Sequence, residues 1–207
     1  MTLLSVLDQS PIRNGATPSD AVADTLALAE HVDQLGFHRY WLAEHHSSNG
    51  LAGAAPEIMI PQVAGRTQGI RVGSGGIMLS HYSPLKVAEA FRTIETLYPG
   101  RIDLGIGRAP GSDRVTDQAL QTGPGSLGPE HYPMQVRDML GYLGGNLPDD
   151  HPFSGVRAMP AGPTVPDVWM LGSSDQSASL AAYFGLPFSF AHFITAEGGP
   201  QAVAAYR

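Results

Sequence analysis

The sequence predicts an α/β protein built on a parallel sheet, and three observations carry that prediction. Short apolar runs alternate with amphipathic helical stretches, strand then helix, six times along 207 residues. That alternation is the pattern of parallel strands joined by helical crossovers. The 25 glycines and 17 prolines place many turns between short elements rather than a few long helices. Two closures fit such a pattern, an open doubly wound sheet and a barrel. The first strand is followed by no Gly-x-Gly-x-x-Gly, which lowers the dinucleotide-fold reading.

Leu3 to Leu7 reads as the first buried strand, ended by Asp8 and Pro11. Thr17-Pro18-Ser19-Asp20 then offers a capping residue, a proline at the first helical position and an acid where a capping box wants one. Val22, Leu26, Ala29, Val32 and Leu35 follow at helical spacing, and Gly36 stops the helix. Tyr40 to Ala43 is the second strand and Pro56 to Thr67 the second helix. A third strand begins at Ile70-Arg71-Val72-Gly73 and runs toward Leu79. Ser83-Pro84 repeats the cap-then-proline device, opening a helix with an apolar stripe of Val87, Ala90, Phe91, Ile94 and Leu97. Arg101 to Gly107 is the fourth strand. Pro110 to Asp113 reads as a turn and Gly123 to Pro129 as a loop. Met134 to Leu143 is helical, and a loop-like stretch spans Gly144 to Pro166. Val168 to Leu171 is the fifth strand, Ser177 to Phe184 a helix, Phe188 to Ala191 the sixth strand, and Pro200 to Tyr206 a last helix.

Composition excludes several classes. With 12 basic and 19 acidic residues the net charge is −7, against the clustered basic face of a nucleic-acid or anionic-membrane protein. The absence of cysteine removes disulfides, cysteine-ligated metals and a cysteine nucleophile. Hydrophobic residues at 43% are enough for a sizeable single-domain core. No apolar run reaches membrane-span length, and the first residues lack a signal peptide's basic start. A cytoplasmic protein is the expectation.

In either parallel architecture, function gathers where strands end. Asp8, Gln9 and Ser10 follow the first strand, Glu44, His45 and His46 the second, Ser74-Gly75-Gly76 the third, Arg108 the fourth, and Gly172-Ser173-Ser174-Asp175-Gln176-Ser177 the fifth. The last segment, between a strand and a helix start, suits an anion such as a phosphate monoester; it reads equally as a serine cap. Arg108, beside Gly105 and Gly107, reads as a phosphate clamp or as a surface ion pair. Gly75 and Gly76 read as a place where a flat ligand meets bare backbone, or as a bulge. Adjacent histidines point to opposite faces of a strand, so His45 and His46 are poorly placed to share a metal. An imidazole there serves better as a base or donor, or simply packs. Neither a Ser-x-x-Lys nor a Gly-x-Ser-x-Gly elbow occurs, so demanding chemistry calls for an organic cofactor.

Together, Tyr40-Trp41-Leu42-Ala43-Glu44-His45-His46, Arg71 to Leu79, Gly100 to Gly111, Leu171-Gly172-Ser173-Ser174 and Phe184-Gly185-Leu186-Pro187 resemble the bacterial luciferase-like flavin monooxygenases, in order and over almost the whole chain. The resemblance implies a (β/α) TIM-type barrel that binds reduced FMN at its C-terminal mouth. It implies a non-prolyl cis peptide at Gly75–Gly76, after strand three, under the flavin ring. It assigns the phosphate to Arg108, Ser174 and Ser177 with Ser173 beside them, and the catalytic histidine to His45. The family's reactive-thiol position matches Gly107.

The implied activity is oxygenation of a small organic substrate with oxygen, through a flavin hydroperoxide. A separate flavin reductase is the expected source of reduced FMN, and a homodimer the expected assembly. A deazaflavin-dependent dehydrogenase of the same superfamily and a non-catalytic flavin-binding protein are the alternatives. Six strand–helix units stand where the family has eight. The expectation is therefore an incomplete barrel, shortened at its C-terminal side, whose open edges belong to a fragment or are covered by a partner.

Overall fold

Among the described residues, six strands hydrogen-bond in the order in which the chain makes them, each parallel to the next. They are β1 (Ser5–Asp8), β2 (Arg39–Leu42), β3 (Arg71–Met78), β4 (Ile102–Gly107), β5 (Asp167–Gly172) and β6 (Phe188–Phe190). The computed structural model describes residues 2–109, 112–121 and 128–207. A doubly wound sheet reverses its strand order at a switch point. This order never reverses, so the choice left open by the sequence pattern falls to an incomplete TIM-type barrel.

Among the described residues, seven α-helices flank the sheet: α1 (Pro18–Gln34), α2 (Pro56–Arg66), α3 (Pro84–Leu97), α4 (Arg114–Leu120), α5 (Tyr132–Gly144), α6 (Asp175–Tyr183) and α7 (Gly199–Tyr206). The capping box of α1 forms: Thr17 Oγ1 accepts from the Asp20 amide at 3.2 Å, and the Asp20 carboxylate accepts from the Thr17 amide at 2.8 Å. Its buried stripe is Ala21, Thr25, Leu26, Ala29 and Val32. Val22 is only partly covered, and Leu35, past the helix end, is 61% exposed. The α3 helix starts at Pro84 as expected, but the Ser83 side chain makes no capping bond.

The α4 helix departs from the sequence reading. Asp113, taken as part of a turn, caps it by accepting from the Val115 and Thr116 amides at 2.8 and 3.0 Å. It buries no residue, so it left no apolar stripe to detect. Pro110 and Gly111 of that turn, and Gly123 to Leu127 of the expected loop, lie outside the described residues.

All six residues of β4 are buried, whereas β1 and β6, with no second strand partner among the described residues, are largely open. Ile102, Leu104 and Ile106 pack with Phe91, Val136 and Met139 in one core. Each such buried side chain contributes roughly 1.5–3 kcal/mol. Asp103, in the middle of this apolar strand, is fully buried yet paired. Its carboxylate accepts from Arg39 Nε at 3.1 Å and Arg71 Nη2 at 2.9 Å, and Arg39 lies 4.6 Å over the Trp169 ring. These groups close the N-terminal ends of the strands. The C-terminal ends remain open.

Candidate functional site

A cavity of about 370 Å³ sits at the C-terminal strand ends. Its wall includes His45, Gly75, Gly76, Arg108, Ser173, Ser174 and Ser177. Four segments far apart in sequence therefore meet on one concave face.

The glycine wall is made by close packing. A Cβ at Gly75 would lie 2.7 Å from Leu7 Cδ1 and 2.8 Å from Trp41 Cβ. A Cβ at Gly76 would lie 2.7 Å from the Gly105 carbonyl oxygen and 2.8 Å from Leu171 Cδ1. Trp41 fits inside the barrel because Gly75 and Gly105 present no side chains to it. The Gly75–Gly76 peptide is cis, and the register between β3 and β4 shifts between Gly75 and Ile77. The ladder is irregular at these glycines, and both line the cavity. The peptide lies within β3 rather than after it.

His45 is half-buried at the wall, its amide donating to the Gly53 carbonyl at 2.8 Å. His46 turns away from it and approaches Glu44, Nε2 to Oε1 at 2.7 Å. Glu44 is 1% exposed, and sequence reasoning gave it no role. The signal was an acid placed directly at a strand end, beside two histidines. Its carboxylate also accepts from the Tyr82 hydroxyl and the Met78 amide. Burial, and then the Glu44 charge, push the Tyr82 phenol far above its ordinary range, so it remains a donor. Burial likewise raises the nearby Glu57 carboxyl.

At the other end of the cavity, β5 runs into α6. Ser174 caps that helix, its Oγ accepting from the Ser177 amide at 3.2 Å and lying 3.1 Å from Ser177 Oγ. A Cβ at Gly172 would meet Ser177 Oγ at 2.5 Å, so only glycine lets the serine approach the strand end this closely. The Arg108 guanidinium is exposed and reaches Gln176 Oε1 at 3.5 Å. Behind it, a cavity of about 40 Å³ is lined by Arg108, Ser177 and Tyr132 among others. The Tyr132 hydroxyl is buried and has no hydrogen-bond partner among the described residues. Burial raises its pKa, and the Arg108 charge opposes that rise. Among the described residues, no group of three His, Asp or Glu side chains is arranged to hold a metal ion.

The model of the luciferase-like monooxygenase family matches residues 3–207. The chain belongs to that family. It is 49% identical over 207 residues to the uncharacterised protein YwcH of Bacillus subtilis, covering 100% of this chain and 62% of that one. It is 44% identical over 205 residues to the luciferase-like monooxygenase of Escherichia coli K12, covering 98% and 59%. The apo-MsnO8 crystal structure superposes with a TM-score of 0.89 at 43% identity, over 100% of this chain and 60% of that one. At the level of fold alone, the oxygenating constituent of 3,6-diketocamphane monooxygenase from Pseudomonas putida, a complex with FMN, matches with a TM-score of 0.72 at 18% identity over 91% and 57%. The chain thus spans about 60% of the length of these relatives. No helix of its described residues is long and apolar enough to cross a membrane.

Proposed function

We propose that this luciferase-like chain binds FMN in the 370 Å³ cavity and serves the oxygenation of a small organic substrate. The carrying observation is the convergence of four distant segments on that one concavity. The donor set suits a phosphorylated planar ring. At one end Arg108, the Ser174 and Ser177 hydroxyls and the positive end of α6 are suited to an anion. The orphaned Tyr132 hydroxyl beside Arg108 and Ser177 is one more donor in need of an acceptor. At the other end, bare glycine backbone and the apolar Leu171 and Met78 form a flat wall.

Reduced FMN supplies, when bound, the electrons that activate oxygen. The protein's part is binding, orientation and exclusion of water. Arg108 and the serines would hold the phosphate, Gly75 and Gly76 would carry the ring, and the His45 imidazole would serve as proton donor or acceptor beside it. A flavin reductase as electron source and a second copy of the chain as partner complete the proposal.

Flavin titration followed by oxygen admission tests it. Wild-type protein should bind FMN more tightly than riboflavin. After anaerobic reduction and aeration, hydrogen peroxide should appear later than oxygen is consumed. Simultaneous peroxide release, as from free flavin, would reduce the chain to a flavin-binding protein. Tighter binding of a deazaflavin than of FMN would replace oxygenation with hydride transfer.

A further inference from the structure

One carboxylate ties together the wall on which His45 and the glycine pair stand. Glu44 follows β2 and is 1% exposed. Its Oε2 accepts from the Met78 amide, at the end of β3, at 3.0 Å. Its Oε1 lies 2.7 Å from the Tyr82 hydroxyl and 2.7 Å from His46 Nε2. Three donors thus converge on one buried group: Met78 and Tyr82 from the end of β3 and the turn after it, and His46 from the stretch after β2 that carries Glu44 itself. A carboxylate only accepts, so His46 must present a hydrogen on Nε2. Cavity-lining residues sit on both sides of this knot: Ala43, Glu44 and His45 beyond β2, and Gly75, Gly76 and Met78 in β3.

We propose that Glu44 is a positioning residue: it fixes the β2 wall carrying His45 against the β3 wall carrying Gly75–Gly76, and sets the His46 tautomer between them. The proposal rests on reading the cavity as a flavin site. Glu44 touches neither the phosphate donors nor Arg108 in the contacts described above. Its loss should therefore be felt by the ring and not by the phosphate.

Glu44→Gln keeps the size and removes the double acceptor. With the amide oxygen toward Tyr82 and His46, the Met78 amide loses its acceptor. With the oxygen toward Met78, the amide NH₂ faces His46 and drives its proton to Nδ1. In the ligand-free protein, either the Met78 amide should exchange at least about tenfold faster or the His46 ¹⁵N signals should show the other tautomer. A loss of global stability alone would not switch the tautomer. The same variant should weaken FMN and riboflavin by an equal factor of about ten.

A folded Glu44→Gln protein with both affinities within about twofold of wild type overturns the inference alone. Wild-type protein that binds neither flavin overturns the flavin reading and this inference with it. If Glu44→Gln does not fold, Tyr82→Phe removes one of the three donors and keeps the carboxylate. An equal loss of about threefold for both flavins then supports the role, and unchanged affinities overturn it.

Discussion

The two ends of the cavity are built on opposite terms. At the glycine end the buried carboxylate is fully bonded and the glycine backbone close-packed. Glu44 is saturated by three donors, and neither Gly75 nor Gly76 has room for a methyl group. At the arginine end donors are in surplus. Arg108 is exposed and makes only long contacts to Gln176 at 3.5 Å, and the Tyr132 hydroxyl has no partner among the described residues. The difference teaches where preorganisation lies. Close-packed backbone shapes one end before any ligand arrives, whereas the other holds donors that the protein leaves largely without acceptors.

The largest expected effect is at the glycine end. Gly76→Ala drives a methyl group against the Gly105 carbonyl and Leu171. Overpacking of this kind should cost about 2 kcal/mol or more, lowering the melting temperature by roughly 4–8 °C, with flavin binding lost in proportion. An unchanged melting curve would show that the wall yields, and the contrast between the ends would disappear.

Arg108→Ala should leave the melting temperature unchanged, because the side chain is exposed. It should weaken FMN by about thirtyfold and riboflavin by less than about twofold. Equal losses for both ligands would remove the phosphate role. Tyr132→Phe has a smaller and two-sided signature. Deleting an unpartnered buried hydroxyl should raise the melting temperature of the ligand-free protein by about 2 °C, while FMN binds about threefold more weakly. A destabilised variant would mean the hydroxyl is already satisfied.

The smallest effect lies away from both ends and serves as a control. Asp33 accepts from the Gln68, Gly69 and Ile70 amides at 2.6, 3.1 and 2.8 Å, tying the end of α1 to the start of β3. Burial would raise its pKa, but those amides, with Arg101, outweigh burial and hold it below the ordinary 3.8. Its contribution to stability is present above pH 3.8 and is lost as the pH falls through the lower folded value. Asp33→Asn should flatten this acid limb in pH-dependent unfolding and leave flavin affinity at neutral pH unchanged.

Much of the scaffold was legible because its signals are local. Thr17 and Asp20 announce their helix within four residues, and short apolar runs separated by amphipathic stretches identify parallel strands without knowledge of their neighbours. The seven predicted site residues lie toward the C-terminal side of the strands, with Gly75 and Gly76 inside β3 and Ser177 in the first turn of α6, and their meeting in one cavity follows from the strand order. Asp113 was misread because a helix that buries nothing carries no periodic signal. Glu44 went unassigned because its partners, Met78 and Tyr82, lie 34 and 38 residues away and carry no motif of their own. Tyr132 was unmarked because an orphaned hydroxyl is defined by what fails to surround it.

The amino-acid order alone determined the alternation of strands and helices, the bare backbone at Gly75–Gly76 and the basic and hydroxyl groups at successive strand ends. Propensity, periodicity and chain spacing act over a few residues and can be read from the string. Tertiary structure alone decided between an open sheet and a barrel, made Glu44 a hub, paired Asp103 with two arginines inside an apolar strand, and left the Tyr132 hydroxyl with no partner among the described residues. Those outcomes depend on which distant segments share a wall, and the free energy of a buried polar group is set by the partners it finds there.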